Sequence, residues 1–257
     1  MPVVDFSLTG KVAIVTGGSR GIGRSIAIAL AEAGADVAIA ARKPEALAEA
    51  VAAVESAGGR ALAVPTNVRR PEDLKNLIAA TKQEFGRIDI LVNNNNAGTT
   101  PVFGPVEQTD EVAWDVIMNT NVKSMFFLSV QAREAMLEHG EGGAIVNVSS
   151  VGGFRGSDVI GGYSISKAAV NMLTQVCARS WGGDGIRVNA IAPGLVKTEF
   201  ARALWDNPEI LKASTEGAAL GRIGEPDEMA GAVVYLASPA ASFVTGQTLL
   251  LDGGQLI

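Results

Sequence analysis

Short β-branched runs alternate with longer helical patterns from one end of this chain to the other, and few folds accommodate that alternation. Strand-length runs occur at KVAIVTG (11–17), DVAIAAR (36–42), ALAVPTN (61–67), IDILVN (88–93), AIVNVSS (144–150), IRVNAIAPG (186–194) and QTLLLDGG (247–254). Several are apolar on both faces, as a strand buried inside a parallel sheet must be. Between them lie helical patterns such as GIGRSIAIALAEAG (21–34), PEALAEAVAAVESAG (44–58) and PEDLKNLIAATKQEF (71–85). Gly34 and Gly58 end the first two as C-terminal caps, and Pro71 opens the third. The expectation is an α/β chain, a doubly wound parallel sheet of about seven strands with helices on both faces. No linker, repeat or low-complexity tract interrupts it, so residues 1–257 read as a single domain.

Composition removes several classes of function. With 21 basic against 27 acidic residues the net charge is -6. The pI near 5.0 argues against binding nucleic acid or anionic membranes, since both need a basic surface. The one cysteine, Cys177, excludes an intramolecular disulfide and lies in a helical pattern, where it reads as a small core residue. The one histidine, His139, sits at a probable helix end before Gly140. A Ser-His-Asp hydrolase, a histidine-rich metal site or any other metal centre is therefore not expected. The N-terminus lacks a signal-peptide pattern, and no apolar run reaches the roughly 18 residues of a membrane span. A soluble cytoplasmic protein is expected.

The segment TGGSRGIG (16–23) follows the first strand and opens the first helix. Gly17, Gly21 and Gly23 fit a turn that must admit a pyrophosphate or pack a helix on a strand. Ser19, Arg20 and Ile22 complete that cradle, whose free N–H groups and dipole favour a diphosphate. At the tip of the second strand, a site selective for NAD places a carboxylate. Here Ala41 stands in its place and Arg42 follows. Arg20 and Arg42 favour the extra phosphate of NADP(H), which guanidinium binds bidentately.

In YSISK (163–167), Tyr163 and Lys167 are spaced i, i+4, on one helix face. A nearby ammonium would lower the phenol pKa from near 10 toward the working range. Ser149 and Ser150 end the preceding strand run, at the carboxyl edge where doubly wound sheets bind ligands. TGGSRGIG, NNAG, NVSS, YSISK and RVNAIAPG occur in the order of the short-chain dehydrogenase/reductase family, which the chain resembles along essentially its whole length. The resemblance implies a single-domain Rossmann fold, and hydride transfer between NAD(P)(H) and an alcohol or carbonyl. It implies a catalytic set of Asn121, Ser150, Tyr163 and Lys167: Tyr163 as acid or base, Lys167 tuning it and binding ribose, Ser150 holding the substrate oxygen, Asn121 holding a water. Pro193, Gly194, Val196 and Thr198 correspond to a loop touching the nicotinamide. Asn67 and Val68 fall beside the adenine, with Asn67 where the family usually has aspartate; its carbonyl can still accept a hydrogen bond. Asn96, Ala97 and Gly98 line the cofactor.

The segment 197–228 stands where the family carries its substrate lid, and Phe200, Leu204 and Trp205 could roof an apolar pocket. Residues 152–162 would form another wall. The apolar C-terminus fits a homo-oligomer, by resemblance a tetramer. The expected function is NADPH-dependent reduction of a ketone or 3-oxoacyl substrate to an alcohol. An alcohol, sugar or steroid dehydrogenase working toward oxidation, or a silent dinucleotide sensor, remains as an alternative. One feature departs from the family: ILVNNNNAG carries four asparagines, Asn93–Asn96, where NNAG carries two. We expect a bulge, with Asn93 still ending the strand and Ala97 and Gly98 keeping their place by the cofactor. Which asparagines take the usual two roles is open at this level.

Overall fold

The computed structural model describes residues 4–96, 105–158 and 160–257. Seven strands, β1 (Val12–Thr16), β2 (Asp36–Ala41), β3 (Ala61–Pro65), β4 (Ile90–Asn93), β5 (Gly143–Val148), β6 (Ile186–Pro193) and β7 (Thr248–Leu251), form one sheet ordered β3-β2-β1-β4-β5-β6-β7. Every pairing is parallel. This is the doubly wound Rossmann arrangement, and each strand falls on an apolar run expected from the sequence.

Parallel neighbours need crossovers, and the helices supply them. The first half carries α1 (Gly21–Glu32), α2 (Pro44–Ser56) and α3 (Pro71–Phe85). The second carries α4 (Glu111–Met118), α5 (Ser124–His139), α6 (Gly161–Trp181), α7 (Arg202–Trp205), α8 (Pro208–Gly217) and α9 (Ala230–Ala237). Alternation along β1 explains the two cores: Ala13 and Val15 meet Ile26, Leu30 and Val233 on one face, while Ile14 meets Leu77, Leu128 and Cys177 on the other. Cys177 is a core residue as expected, and burial pushes its thiol up to about 11. Gly34 and Gly58 follow the first two helices with φ of +103° and +95°. His139 is the last residue of α5, before left-handed Gly140.

Strand order reverses between β1 and β4, because the chain winds outward from β1 through β3 and then returns to β1's other side. A crevice opens at the carboxyl ends of these two strands, where such sheets bind ligands. The asparagine run begins there. Pairing of β4 with β5 continues without interruption to Asn93↔Asn147, so Asn93 ends the strand as expected. The expected bulge is not found within the paired residues. Ala97 and Gly98 lie outside the described residues.

At the opposite edge of the sheet, buried Asp89 accepts from the Val12 amide at 3.0 Å and from Arg87 Nε at 2.9 Å and Nη2 at 2.6 Å. Lys11 Nζ approaches Asp89 at 3.2 Å and Glu141 at 3.1 Å. Asp89, His139 and Glu141 offer ligand-type atoms within 4.8 Å of one another, but Lys11 and Arg87 pair with both carboxylates, which makes the group an ion-pair network. Asp89 holds β1 to the start of β4 through a main-chain bond that neither cation could replace. Asp89→Ala should cost about 2 kcal/mol in urea unfolding, discounted because both cations are partly exposed and can rehydrate. The same measurement on Glu141→Ala, whose carboxylate is at the surface, should show a much smaller loss.

Candidate active site

The glycine loop joins β1 to α1. Gly17 and Gly21 have φ of +61° and +52°, a region only glycine enters without strain. Gly23 is required by packing: a Cβ there would collide with the Gly17 carbonyl and the Asn94 side chain. A Cβ on Gly17 would meet the Asn94 carbonyl at 2.5 Å. Asn94 is thus the wall against which both glycines are set. Its amide N donates to Thr16 Oγ1 at 3.0 Å and its Nδ2 to the Gly17 carbonyl at 3.2 Å, closing the crevice floor between β1 and β4.

Arg20 is the N-cap of α1 but makes no side-chain cap bond, and the helix has no acid in its first turn. Its first amides face a cleft of ≈ 630 Å³. Of the residues expected to bind a dinucleotide, this cleft gathers Gly17, Ser19, Arg20, Gly21 and Ile22 from the glycine loop. Arg42, Asn67, Val68, Asn96 and Thr198 join them from other elements. Gly23 lies behind the wall. Pro193, Gly194 and Val196 are not in the lining but build the loop that carries Thr198: Gly194 N donates to Leu251 O at 3.0 Å, and Val196 bridges Gly224. Thr198 Cγ2 would stand 3.3 Å from a Cβ on Gly21, so this loop closes on the glycine turn. Asn67 Oδ1 already accepts from the Arg69 amide at 3.2 Å in a tight turn.

Lys43, Arg69, Val116 and Thr120 also line the cleft, unforeseen from sequence. Lys43, Arg69 and Thr120 adjoin expected residues; nothing local marks Val116, which arrives on α4. Arg20, Arg42, Lys43 and Arg69 are exposed and pair with no carboxylate among the described residues. A Cβ-free turn, open helix amides and four cations without a carboxylate partner among the described residues fit the phosphates of a dinucleotide.

Ser150, Tyr163 and Lys167 meet beyond the end of β5. Strand β5 stops at Val148, and Ser150 caps the short helix Val151–Gly153, its hydroxyl accepting from the Gly152 amide at 3.1 Å. Ser150 also hydrogen-bonds Tyr163, in the first turn of α6. Ser149 turns the other way, donating to the Lys167 carbonyl at 3.2 Å and to Asn171 Oδ1 at 2.6 Å. Gly153 was not singled out from sequence, yet its Cβ would lie 2.7 Å from the Lys167 carbonyl carbon. That close approach seats the Ser150 loop on α6.

Lys167 is completely buried, donates to the Val148 carbonyl at 2.8 Å, and holds its ammonium 5.5 Å from the centre of the Tyr163 ring. Asn121 is equally buried, in a π-helical turn (Asn119–Lys123) between α4 and α5, and donates to Ser166 Oγ at 3.0 Å. Burial pushes the Tyr163 hydroxyl up to about 12, with the Ser150 bond opposing. Burial brings Lys167 down to about 7. The direction is opposite to the expected lowering of Tyr163 by Lys167: desolvation outweighs the Ser150 hydrogen bond, and burial drives both groups toward their neutral forms.

This has a sign. Between about pH 7 and 10.5 the unfolded chain holds a proton on Lys167 that the folded chain does not, so this group's contribution to stability rises with pH across that window. Lys167→Met should remove the slope, and its stability gain over wild type should shrink by about 2 kcal/mol from pH 7 to 9 in urea titrations. Equal gains at both pH values would mean that the lysine is not titrating there.

Comparisons with known proteins agree with the geometry. A family profile described as Enoyl-(Acyl carrier protein) reductase matches residues 17–255. Dehydrogenase/reductase SDR family member 4 of Oryctolagus cuniculus is 38% identical over 247 residues, covering 96% of this chain and 94% of that one. The A-factor type gamma-butyrolactone 1'-reductase (1S-forming) of Streptomyces virginiae is 41% identical over 251 residues, 96% of each. The crystal structure of a gluconate 5-dehydrogenase from Burkholderia cenocepacia J2315, in complex with NADP and tartrate, superposes with a TM-score of 0.92 at 34% identity, covering 98% and 97% of the two chains. The chain belongs to the short-chain dehydrogenase/reductase family, oxidoreductases that use NAD(P)(H) on carbonyl or alcohol substrates.

Proposed function

We propose that this protein is an NADPH-dependent reductase of ketone or 3-oxoacyl substrates. The observation that carries the reading is the convergence of Ser150, Tyr163 and Lys167 beyond the end of β5. NADPH, when bound, supplies the hydride. As negative charge develops on the carbonyl oxygen, Ser150 donates a hydrogen bond to it and Tyr163 gives it a proton. Lys167 donates to the Val148 carbonyl, and an ammonium carries three donor positions; the others suit ribose hydroxyls. With a pKa near 7 it can return a proton toward Tyr163 at working pH. Asn121 holds the inner end of that path. Phe200 lines the cleft and Trp205 is pinned by its indole N–H to the Thr198 carbonyl at 2.8 Å, an apolar lid suited to a substrate without charge near the carbonyl.

The preference for NADPH rests on Arg20, Arg42, Lys43 and Arg69, with Ala41 at the tip of β2 where a carboxylate would repel a 2′-phosphate. The wider reading takes residues 1–257 as one cytoplasmic domain that assembles as a homotetramer. Exposed Phe127, Met172 and Val176, and Leu249 and Leu250 on the last strand, support burial against further copies. The named gluconate dehydrogenase among the structural relatives favours, as the second reading, oxidation of a hydroxy acid or sugar alcohol.

Cofactor turnover should be followed with NADPH and NADH against ketones, diketones, aldehydes, an acetoacetyl thioester and an enoyl thioester, and with NADP+ and NAD+ against gluconate-type alcohols. Reduction of a carbonyl in preference to alcohol oxidation is expected; turnover of alcohols alone would establish the second reading. Tyr163→Phe should lower kcat by about 10²–10⁴-fold while NADPH still binds. Arg42→Asp should weaken NADPH far more than NADH, by about tenfold or more in Kd. Equal loss for both would sink the 2′-phosphate assignment.

A further inference from the structure

Asn93 and Asn94 account for the ends of the neighbouring strands, and Asn95, next in the run, lines the cleft. Its side chain is nevertheless buried, 4% exposed, and its Nδ2 donates to Ser124 Oγ at 2.9 Å. That hydroxyl donates in turn to the Thr120 carbonyl at 2.6 Å. Thr120 is inside the π-helical turn and immediately precedes Asn121. Asn121 Nδ2 donates to Ser166 Oγ, and Ser166 Oγ to the Tyr163 carbonyl at 2.7 Å. The links run from the crevice, across the junction of α4 and α5, to the backbone of the residue that bears the reactive hydroxyl.

A π-turn is strained relative to the α-helix on either side of it, because its wider ring leaves carbonyls poorly served by the ladder. The Thr120 carbonyl lies in this turn and accepts from Ser124 Oγ, a bond that needs the hydroxyl proton pointed inward. The Asn95 amide donates to the oxygen of that hydroxyl and so directs its proton to Thr120. We propose that Asn95 is a positioning residue: by orienting Ser124 it fixes the π-turn, and through Asn121 and Ser166 it sets where Tyr163 stands. For catalysis this rests on the reductase reading above; the structural tie does not.

The test exploits a chain with only two tyrosines, Tyr163 and Tyr235. Protein labelled with [¹³Cζ]tyrosine gives one resonance for each, assigned by the loss of one in Tyr163→Phe. Asn95→Ala should displace the Tyr163 resonance and leave that of Tyr235 in place. On any carbonyl the wild type reduces, kcat should fall about tenfold, with the Kd for NADPH, from intrinsic fluorescence, within about twofold of wild type. Ser124→Ala should reproduce these changes, the double variant should add little, and Ser124→Thr, which keeps the hydroxyl, should retain activity. An unmoved Tyr163 resonance overturns the proposal. So does weakened NADPH binding with kcat retained, which would make Asn95 a contact of the cofactor wall; so do additive losses in the double variant. A wild type inactive on every carbonyl sinks the reductase reading instead, while the resonance still decides the tie.

Discussion

A lysine with no exposed surface is the constraint around which the second half of this protein is arranged. Removing an ammonium from water is expensive unless it is paired, and Lys167 faces a main-chain carbonyl rather than a carboxylate. The surroundings are organised to keep it there. Val148 ends β5 with its carbonyl turned to the ammonium, Ser149 bonds the lysine's own carbonyl, and Gly153 leaves room for the main chain of α6 to come close. The result is a charged-group position held by backbone. Its pKa is set by dryness and not by a partner, and it therefore lies where a proton can be exchanged near neutrality.

The same region is tied together by neutral amides and hydroxyls. Asn93 Nδ2 donates to Ser129 Oγ and to Asn147 Oδ1, each at 2.9 Å, and Asn147 Nδ2 donates to Thr174 Oγ1 at 2.9 Å. This line joins β4, β5, α5 and α6 beneath the site, and the line that starts from Asn95 runs closer to the crevice. Charged residues could not do this work without adding titratable groups around Lys167 and Tyr163. Asparagine bonds in two directions and carries no charge at any accessible pH. Buried networks of this kind hold a single geometry when their donors are matched.

Much of the architecture was legible because it is periodic. Apolar runs and glycine caps marked β1, α1, β2 and α2, and the i, i+4 spacing put Tyr163 and Lys167 on one face of α6. The residues that escaped notice depend on contacts between distant segments. Gly153 looks like an ordinary loop glycine until α6 is seen against it. Val116 reaches the cleft from a helix whose sequence advertises only an apolar face. Gly23 was read as a place for phosphate or packing, and packing against Asn94 is what requires it. The tyrosine electrostatics misled for a related reason: spacing reveals that an ammonium is near, but not how little water surrounds both groups.

The asparagine run also bears on how the fold tolerates changes in length. Asn93 and Asn94 make their bonds to β5, β1 and the glycine turn before the rest of the run begins. Register is thus locked upstream, and a segment lengthened beyond that point pays a closure entropy that grows only logarithmically, about 0.6 kcal/mol for a doubling. Evolution can vary the span between β4 and α4 almost freely in thermodynamic terms. A sheet protected in this way can acquire new substrate-facing segments without renegotiating the strands that carry its chemistry.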